Sequence, residues 1–186
     1  QRQMCIRDSS RIITGLWQVA DIEKEDGSMD LGPAASALVD YAESGFDTFD
    51  MADHYGSAEL IAGHARRKMQ EHDSANGPSS KARFHTKWCP KPGEMTPQKV
   101  REGVLLSAER LDMEQIDLMQ FHWWNYEHPQ YLDAMEGLQA LKEEGIIRHL
   151  GLTNFDTDHL HLLLQEGIPI ISNQVCLLYT SPSPRD

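Results

Sequence analysis

The sequence predicts an α/β fold in which strands and helices alternate as in a parallel β/α barrel. Short apolar runs end at Asp50, Lys87 and His122, and two further runs are followed by Asn154 and Gln174. Their intervals are 87 − 50 = 37, 122 − 87 = 35, 154 − 122 = 32 and 174 − 154 = 20 residues. These lengths suit one strand, one helix and two short loops, which is the repeat of that fold. Because the carboxyl ends of its strands converge on one face, we expect the five polar side chains to surround one pocket.

The first half of the chain divides into apolar, amphipathic and polar segments. Residues 12–17 predict an apolar strand, and the charged residues 21–32 predict a loop. Apolar residues recur at helical spacing over residues 33–44. Residues 57–70 predict a second helix, whose basic C-terminal turn suits the helix dipole. The Ser-, Gly- and Pro-rich residues 73–81 predict a mobile surface loop.

Capping residues mark three more helices in the second half. Thr96 is a suitable N-cap and is followed by proline at the first helical position, and Asp156 is a second N-cap. Glycines at 145 and 167 are suitable helix stops. The predicted helices extend from Pro97 to Leu111, from after His128-Pro129 to the stop at Gly145, and from the cap at Asp156 to Gln165.

The two ends of the chain are expected to differ in origin from the rest. Residues 1–9 can be encoded by CAG CGT CAG ATG TGT ATA AGA GAC AGN, and residues 176–181 by TGT CTC TTA TAC ACA TCT. The second string is the reverse complement of a stretch inside the first, and the shared element resembles a transposon-end sequencing adapter. We therefore expect residues 1–9 and 176–186 to be adapter-derived, and residues 10–175 to be one incomplete domain.

The charge and composition of the chain argue against several classes of partner and location. The net charge of −12 and the pI near 5.1 argue against nucleic-acid and anionic-membrane partners. Outside the suspected adapter residues, Cys89 is the single cysteine, which favours a reducing, cytoplasmic location. No apolar run in the sequence approaches the length of a membrane span.

Four motifs together resemble the aldo-keto reductases. They are Asp-Met-Ala-Asp-His-Tyr-Gly-Ser-Ala-Glu (50–59), Phe-His-Thr-Lys-Trp (84–88), Asp-Leu-Met-Gln-Phe-His-Trp (117–123) and Gly-Leu-Thr-Asn-Phe (151–155). The resemblance covers residues 11–175 and implies an eight-stranded (β/α)8 barrel of the TIM type, truncated here after about the sixth strand. It also implies an oxidoreductase that reduces an aldehyde or ketone to an alcohol by hydride transfer from NAD(P)H.

The resemblance assigns four catalytic roles. Tyr55 is expected to donate a proton to the carbonyl oxygen as it gains negative charge. A tyrosine hydroxyl is a poor acid at neutral pH unless a nearby cation lowers its pKa, and Lys87 is expected to be that cation. Asp50 is expected to orient the ammonium group, and His122 to position the substrate oxygen as a neutral donor.

Further residues are expected to bind the cofactor and substrate. By resemblance, Thr153, Asn154 and Gln174 hold the nicotinamide carboxamide, with NADPH as the expected cofactor and NADH as the alternative. The expected partner is a small carbonyl substrate, in a monomer or weak oligomer with no metal site. By resemblance, we expect the chain as written to lack the family's last two strands, where the cofactor phosphate is held, and to be inactive alone.

Three tryptophans at strand ends are candidates for an aromatic substrate wall. They are Trp17, Trp88 and Trp123. The same residues would also suit an apolar core.

Two other functional classes remain open from the sequence. A divalent-metal barrel hydrolase could use Asp50, His54, His85 and His122, since carboxylates and imidazoles at strand ends suit such metals. That reading gives no role to Tyr55. A non-catalytic nicotinamide-binding regulatory subunit would keep the same four catalytic-type residues, and turnover of a simple aldehyde would distinguish it from an enzyme.

Overall fold

The computed structural model describes residues 10–19, 30–76 and 82–176, in which strands alternate with helices. The strands are β1 (Thr14–Gly15), β2 (Thr48–Asp50), β3 (Arg83–Trp88), β4 (Ile116–His122), β5 (Ile147–Thr153) and β6 (Ile170–Gln174). The helices are α1 (Leu31–Glu43), α2 (Ala58–Asn76), α3 (Pro97–Leu111), α4 (Tyr131–Glu143) and α5 (Thr157–Gln165). This alternation confirms the predicted α/β class.

The strands form one sheet with the order β1-β2-β3-β4-β5-β6. The pairs β1–β2, β2–β3, β4–β5 and β5–β6 are parallel. Each strand is joined to the next by a segment that contains one helix. Parallel neighbours need such crossovers, because a tight hairpin would reverse the chain direction.

The chain divides into two compact units. The first comprises the residues up to Thr86 together with 107–113, and its strands are β1, β2 and most of β3. Its core includes Phe49 and Phe84, which are partners in the β2–β3 register and stack with ring centroids 5.6 Å apart. A Cβ atom at Gly63 in α2 would lie 2.3 Å from the carbonyl oxygen of Arg110. The close approach of α2 to the end of α3 therefore requires glycine at this position.

The second unit comprises residues 87–106 and the residues from 114 onward. Its sheet contains β4, β5 and β6, with His122 opposite Thr153 and Thr153 opposite Gln174 in the register. Apolar side chains of strands and helices fill its core, and the fully buried members include Met119, Met135, Leu138 and Leu150.

The capping prediction is confirmed at both of the predicted N-caps. The Oγ1 of Thr96 accepts a hydrogen bond from the backbone N–H of Lys99 at 3.2 Å. The carboxylate of Asp156 accepts one from the backbone N–H of His159 at 2.9 Å. A third cap comes from Asp30, whose side chain accepts from the backbone N–H of Gly32.

Three predicted boundaries are wrong. Strand β1 is shorter than residues 12–17, because Ile12 and Ile13 are exposed and lie before its register with β2. Helix α1 begins at Leu31, inside the predicted loop over 21–32, because Asp30 caps it. Helix α2 continues to Asn76, so the predicted loop is wrong over 73–76, where polar residues continue a helix. Residues 21–29 and 77–81 of those loops lie outside the described residues.

The predicted adapter segments fall largely outside the described part of the chain. Residues 1–9 and 177–186 are not described, so their assignment stays a prediction. Among the described residues, none of the helices combines the length and apolar character needed to span a bilayer.

Candidate active site

The polar residues singled out by spacing lie at the carboxyl ends of the strands. Asp50, His122 and Gln174 are the last residues of β2, β4 and β6, Lys87 is next to last in β3, and Asn154 follows β5. Asp50 belongs to the first unit and the other four to the second.

Tyr55 of the first unit lies in the short segment between β2 and α2, packed among aromatic rings. Its ring meets the ring of Trp17 edge to face, with centroids 4.7 Å apart and an interplanar angle of 86°. The ring of His54 lies 4.9 Å away. The backbone N–H of Leu16 donates to the carbonyl of Asp50 at 2.9 Å, which holds the end of β1 against the end of β2. Because Trp17 is 39% exposed and Tyr55 is half-buried, this aromatic group borders solvent.

A charged network, whose partners the sequence did not reveal, contacts the backbone of this segment. Glu59 in the first turn of α2 is 1% exposed. Its carboxylate accepts hydrogen bonds from the Oγ1 of Thr86 at 2.6 Å and from a guanidinium nitrogen of Arg110 at 3.2 Å. The same nitrogen donates to the backbone carbonyl of Asp53 at 3.0 Å. The pairing of Glu59 with Arg110 spans 51 residues of sequence, which is why no local pattern indicated it.

In the second unit, Lys87 and His122 have different surroundings. Lys87 is 3% exposed, a position where an ammonium group is costly unless it is paired and hydrogen-bonded. The ring of His122 is half-buried and lies 4.0 Å from the ring of Trp124. Trp124 is 58% exposed, and sequence reasoning did not select it because it lies beyond the strand end.

The three predicted cofactor residues lie together in the second unit. Thr153 is opposite Gln174 in the β5–β6 register, and the backbone N–H of Asn154 donates to the carbonyl of Gln174 at 2.8 Å. Asn154 has a φ of 56°, in the left-handed region that asparagine tolerates better than most residues. Its side-chain oxygen accepts from the backbone N–H of Cys176. The Oγ1 of Thr153 is buried and has no hydrogen-bond partner among the described residues.

One side-chain amide of β6 forms hydrogen bonds with the backbone of the residue after Asn154. Asn173 accepts a hydrogen bond from the backbone N–H of Phe155 at 3.2 Å and donates to the carbonyl of the same residue at 2.8 Å. The amide therefore continues the hydrogen bonding between β5 and β6 beyond the end of β5.

Two of the three tryptophans predicted to contact substrate are packed inside the second unit. Trp88 and Trp123 are 4% and 3% exposed, and each lies with its ring centroid 5.7 Å from that of Phe121. A Cβ atom at Gly103 would lie 2.3 Å from the indole nitrogen of Trp88, so glycine makes room for this ring. This burial favours a packing role for both, and their contact with substrate stays a prediction.

Two histidines of the predicted metal site, His54 and His85, have contacts with other protein groups. The Nδ1 of His54 lies 3.0 Å from a carboxylate oxygen of Asp53. His85 is buried in β3, and its carbonyl accepts a hydrogen bond from the backbone N–H of Met51.

Three residues of the second unit with shifted pKa values, Tyr126, Tyr131 and Asp156, are grouped near the start of α5. Burial, reinforced by the charge of Asp156, raises the pKa of Tyr126 far above its ordinary value. Burial also raises the pKa of Tyr131. Burial acts to raise the pKa of Asp156, but hydrogen bonds and charge from His159 outweigh it and leave that pKa below the ordinary value. The ring of His159 stacks on that of Tyr126 with centroids 3.8 Å apart.

The family follows from comparison with known sequences. The sequence matches the family model of the Aldo/keto reductase family over residues 11–181. The chain therefore belongs to the aldo/keto reductase family, as the four motifs indicated. The match covers residues on both sides of the predicted boundary at 175, and that boundary stays a prediction.

Individual relatives agree with the family assignment. The chain is 27% identical to the NADH-specific methylglyoxal reductase of Escherichia coli K12 over 172 residues, which cover 85% of this chain and 52% of the relative. It is 34% identical to the methylglyoxal reductase DkgA of the same organism over 79 residues, which cover 42% of this chain and 29% of the relative. The chain thus spans about half or less of the length of these curated relatives.

A solved structure confirms the fold class. The thermostable aldo-keto reductase Tm1743, crystallised with the inhibitor epalrestat, superposes with a TM-score of 0.76 and 22% identity. The alignment covers 96% of this chain and 63% of that one. The chain therefore has the α/β fold of a (β/α)8 barrel, represented through its sixth strand.

Proposed function

We propose that the enzyme containing this chain reduces a small aldehyde or ketone to an alcohol with NAD(P)H, using Tyr55 as the general acid. One observation carries the proposal: Tyr55 follows β2 at its carboxyl end, half-buried against the partly exposed ring of Trp17. This is the face where barrel enzymes place their chemistry. Family membership supports the reaction type.

The proton-transfer step assigns a role to each residue of the catalytic set. When bound, the nicotinamide supplies a hydride to the carbonyl carbon. Tyr55 gives its hydroxyl proton to the carbonyl oxygen, which completes the alcohol, and then regains a proton from water. Lys87 stabilises the tyrosinate left behind, Asp50 orients Lys87, and His122 donates a hydrogen bond to the substrate oxygen.

The cofactor residues fit a nicotinamide carboxamide. The buried hydroxyl of Thr153 lacks a partner among the described residues, and a ligand amide would supply one. Asn154 and Gln174 are joined through their backbones and would offer side-chain amides beside it. NADPH is the proposed cofactor and NADH the alternative, since relatives include an enzyme named NADH-specific and a Bombyx mori structure in complex with NADP.

A small, compact carbonyl is the proposed substrate class. The rings of Trp17 and Tyr55 pack edge to face and are partly exposed to solvent. Such an aromatic surface suits a substrate with few polar groups. Both relatives described above are named methylglyoxal reductases, so methylglyoxal is the first substrate to test.

The test measures NADPH oxidation by methylglyoxal in the longest reading frame that contains this chain. Tyr55→Phe removes the proton donor and keeps the ring, so kcat should fall by about 10²–10⁴-fold. The matched control is Tyr41→Phe, which alters an exposed tyrosine of α1 and should leave kcat unchanged.

Three other outcomes would contradict the proposal. A kcat for Tyr55→Phe within about threefold of the parent would exclude Tyr55 as the acid. Tight NADPH binding without turnover of any simple aldehyde would support the regulatory subunit. Turnover that needs a divalent metal and no nicotinamide would support the hydrolase.

A further inference from the structure

Glu59 is a buried carboxylate to which the proposed reaction gives no role. It is 1% exposed and lies in the first turn of α2, just beyond Tyr55. Burying a carboxylate costs free energy unless it is paired and hydrogen-bonded. Here Thr86 and Arg110 provide those partners, at 2.6 Å and 3.2 Å.

Arg110 connects Glu59 to the backbone on the other side of Tyr55. One of its guanidinium nitrogens donates both to the carboxylate of Glu59 and to the carbonyl of Asp53, at 3.2 Å and 3.0 Å. Asp53 precedes Tyr55 in sequence and Glu59 follows it. A single charged group therefore holds the chain on both sides of the proposed proton donor.

Local backbone hydrogen bonds shape the segment between Met51 and α2. The N–H of Met51 donates to the carbonyl of His85 at 2.9 Å, which joins the end of β2 to β3. Beyond it, the N–H of Tyr55 donates to the carbonyl of Ala52, and the carbonyl of Tyr55 accepts from Ala58. These turns fix the shape of the segment, and Arg110 ties that shape to the rest of the first unit.

We propose that Arg110 and Glu59 are positioning residues for Tyr55. They are not expected to touch substrate or cofactor; they hold the tyrosine hydroxyl at the place where it can donate its proton. The inference rests on the proposed function, since it assigns the pair a role in that reaction. General acid catalysis is sensitive to such placement, and a displacement of about 1 Å can cost on the order of 10²-fold in rate.

A purely structural role would be to hold α2 against α3. The two helices already pack closely at another point, because Gly63 lies against the backbone carbonyl of Arg110. The side-chain network adds the contact with Asp53, which belongs to neither helix. A positioning role and a packing role therefore predict different results when the side chains change.

The experiment is a double-mutant cycle in the longest reading frame that contains this chain. The variant Glu59→Gln with Arg110→Met removes both charges together, so no unpaired buried charge remains, and the amide oxygen still accepts from Thr86. We expect kcat for methylglyoxal to fall about tenfold or more, with the KM for NADPH unchanged. Combined with Tyr55→Phe, the same pair of substitutions should cause no further loss, because the group that they position is gone.

Controls separate this inference from folding and from the proposed function. Arg101 lies in α3, as Arg110 does. Arg101→Met removes its exposed ion pair with Glu144 and should leave kcat unchanged. Arg110→Lys keeps the charge beside Glu59 with a single ammonium and should give an intermediate kcat.

The outcomes decide between the two roles. An equal loss of kcat with and without Tyr55→Phe, or a kcat within twofold of the parent in both Arg110 variants, would overturn the positioning role. Loss of a cooperative thermal transition in both Arg110 variants would also overturn it, in favour of a structural role. If the parent itself reduces no aldehyde, the proposed function fails instead.

Discussion

The segment that carries Tyr55 and the segment that carries Asn154 each follow a strand, yet the protein holds them in different ways. In the first unit, the partly exposed guanidinium group of Arg110 bonds to the backbone near Tyr55 and pairs with the buried carboxylate of Glu59. In the second unit, neutral bonds hold the chain at Asn154, through the backbone of Gln174 and the side chain of Asn173. Charged side-chain bonds thus contribute to holding the segment of the proton donor, whereas neutral bonds that continue the sheet contribute to holding the cofactor residues.

The largest expected stability difference between the units concerns helix glycines. Gly63→Ala would place a Cβ 2.3 Å from a backbone carbonyl in the first unit, whereas Gly137→Ala would meet side-chain atoms of Val100 at 3.0 Å in the second. A side chain can shift more easily than backbone, and alanine gains about 1 kcal/mol of helix propensity. We expect Gly63→Ala to lower the free energy of unfolding by about 3 kcal/mol and Gly137→Ala to be nearly neutral.

Urea unfolding of the two alanine variants measures this difference. Equal stability of both would show that α2 and α3 can separate at little cost. That result would weaken the view that backbone packing already fixes these helices.

A smaller effect is expected where an amide holds the cofactor segment. Asn173→Ala removes two hydrogen bonds with Phe155 and should lower the free energy of unfolding by about 1–3 kcal/mol. Because these bonds support the chain next to Asn154, the KM for NADPH should rise while kcat changes little. Gln139→Ala, which removes an exposed side-chain contact with Glu143, is a suitable control. A fall in kcat with an unchanged KM would show that both units position the catalytic groups.

The smallest expected effect is a pH dependence at α5. The pKa of Asp156 in the folded protein lies below its ordinary value of 3.8, so its carboxylate stabilises the fold above that pH. This stabilisation should be lost as the pH falls below about 4, through the folded pKa. Asp156→Asn keeps an N-cap oxygen but cannot titrate, so its melting temperature should depend less on pH in that range.

Thermal melts between pH 2 and 7 compare the parent with Asp156→Asn. If the melting temperatures of the two proteins fall identically at low pH, Asp156 contributes no proton-linked stability. Asp156→Ala should lose about 1 kcal/mol at neutral pH as well, because it removes the cap itself.

Strand ends and helix caps could be predicted from the sequence because both depend on local pattern. An apolar run followed by a polar residue marked Asp50, His122 and Gln174, and the structure places all three at the ends of strands. Thr96 and Asp156 were recognised as caps because the capping bond joins residues close in sequence.

Features that depend on tertiary packing could not be predicted in this way. A strand-end position does not show how deeply a ring lies, so Trp88 and Trp123 could not be distinguished from the exposed Trp17. The pairing of Glu59 with Arg110 joins distant helices, and no spacing rule indicates it. The end of α2 over residues 73–76 looked like a loop because the polar composition of this stretch is also typical of loops.

The central claim, that Tyr55 is the proton donor, is tested most directly by single-turnover kinetics. NADPH is bound to the longest reading frame that contains this chain, methylglyoxal is added in excess, and the loss of cofactor absorbance is followed for the parent and for Tyr55→Phe. We expect an unchanged amount of bound NADPH and a hydride-transfer rate reduced by about 10²–10⁴-fold in the variant. A rate within about threefold of the parent would contradict it.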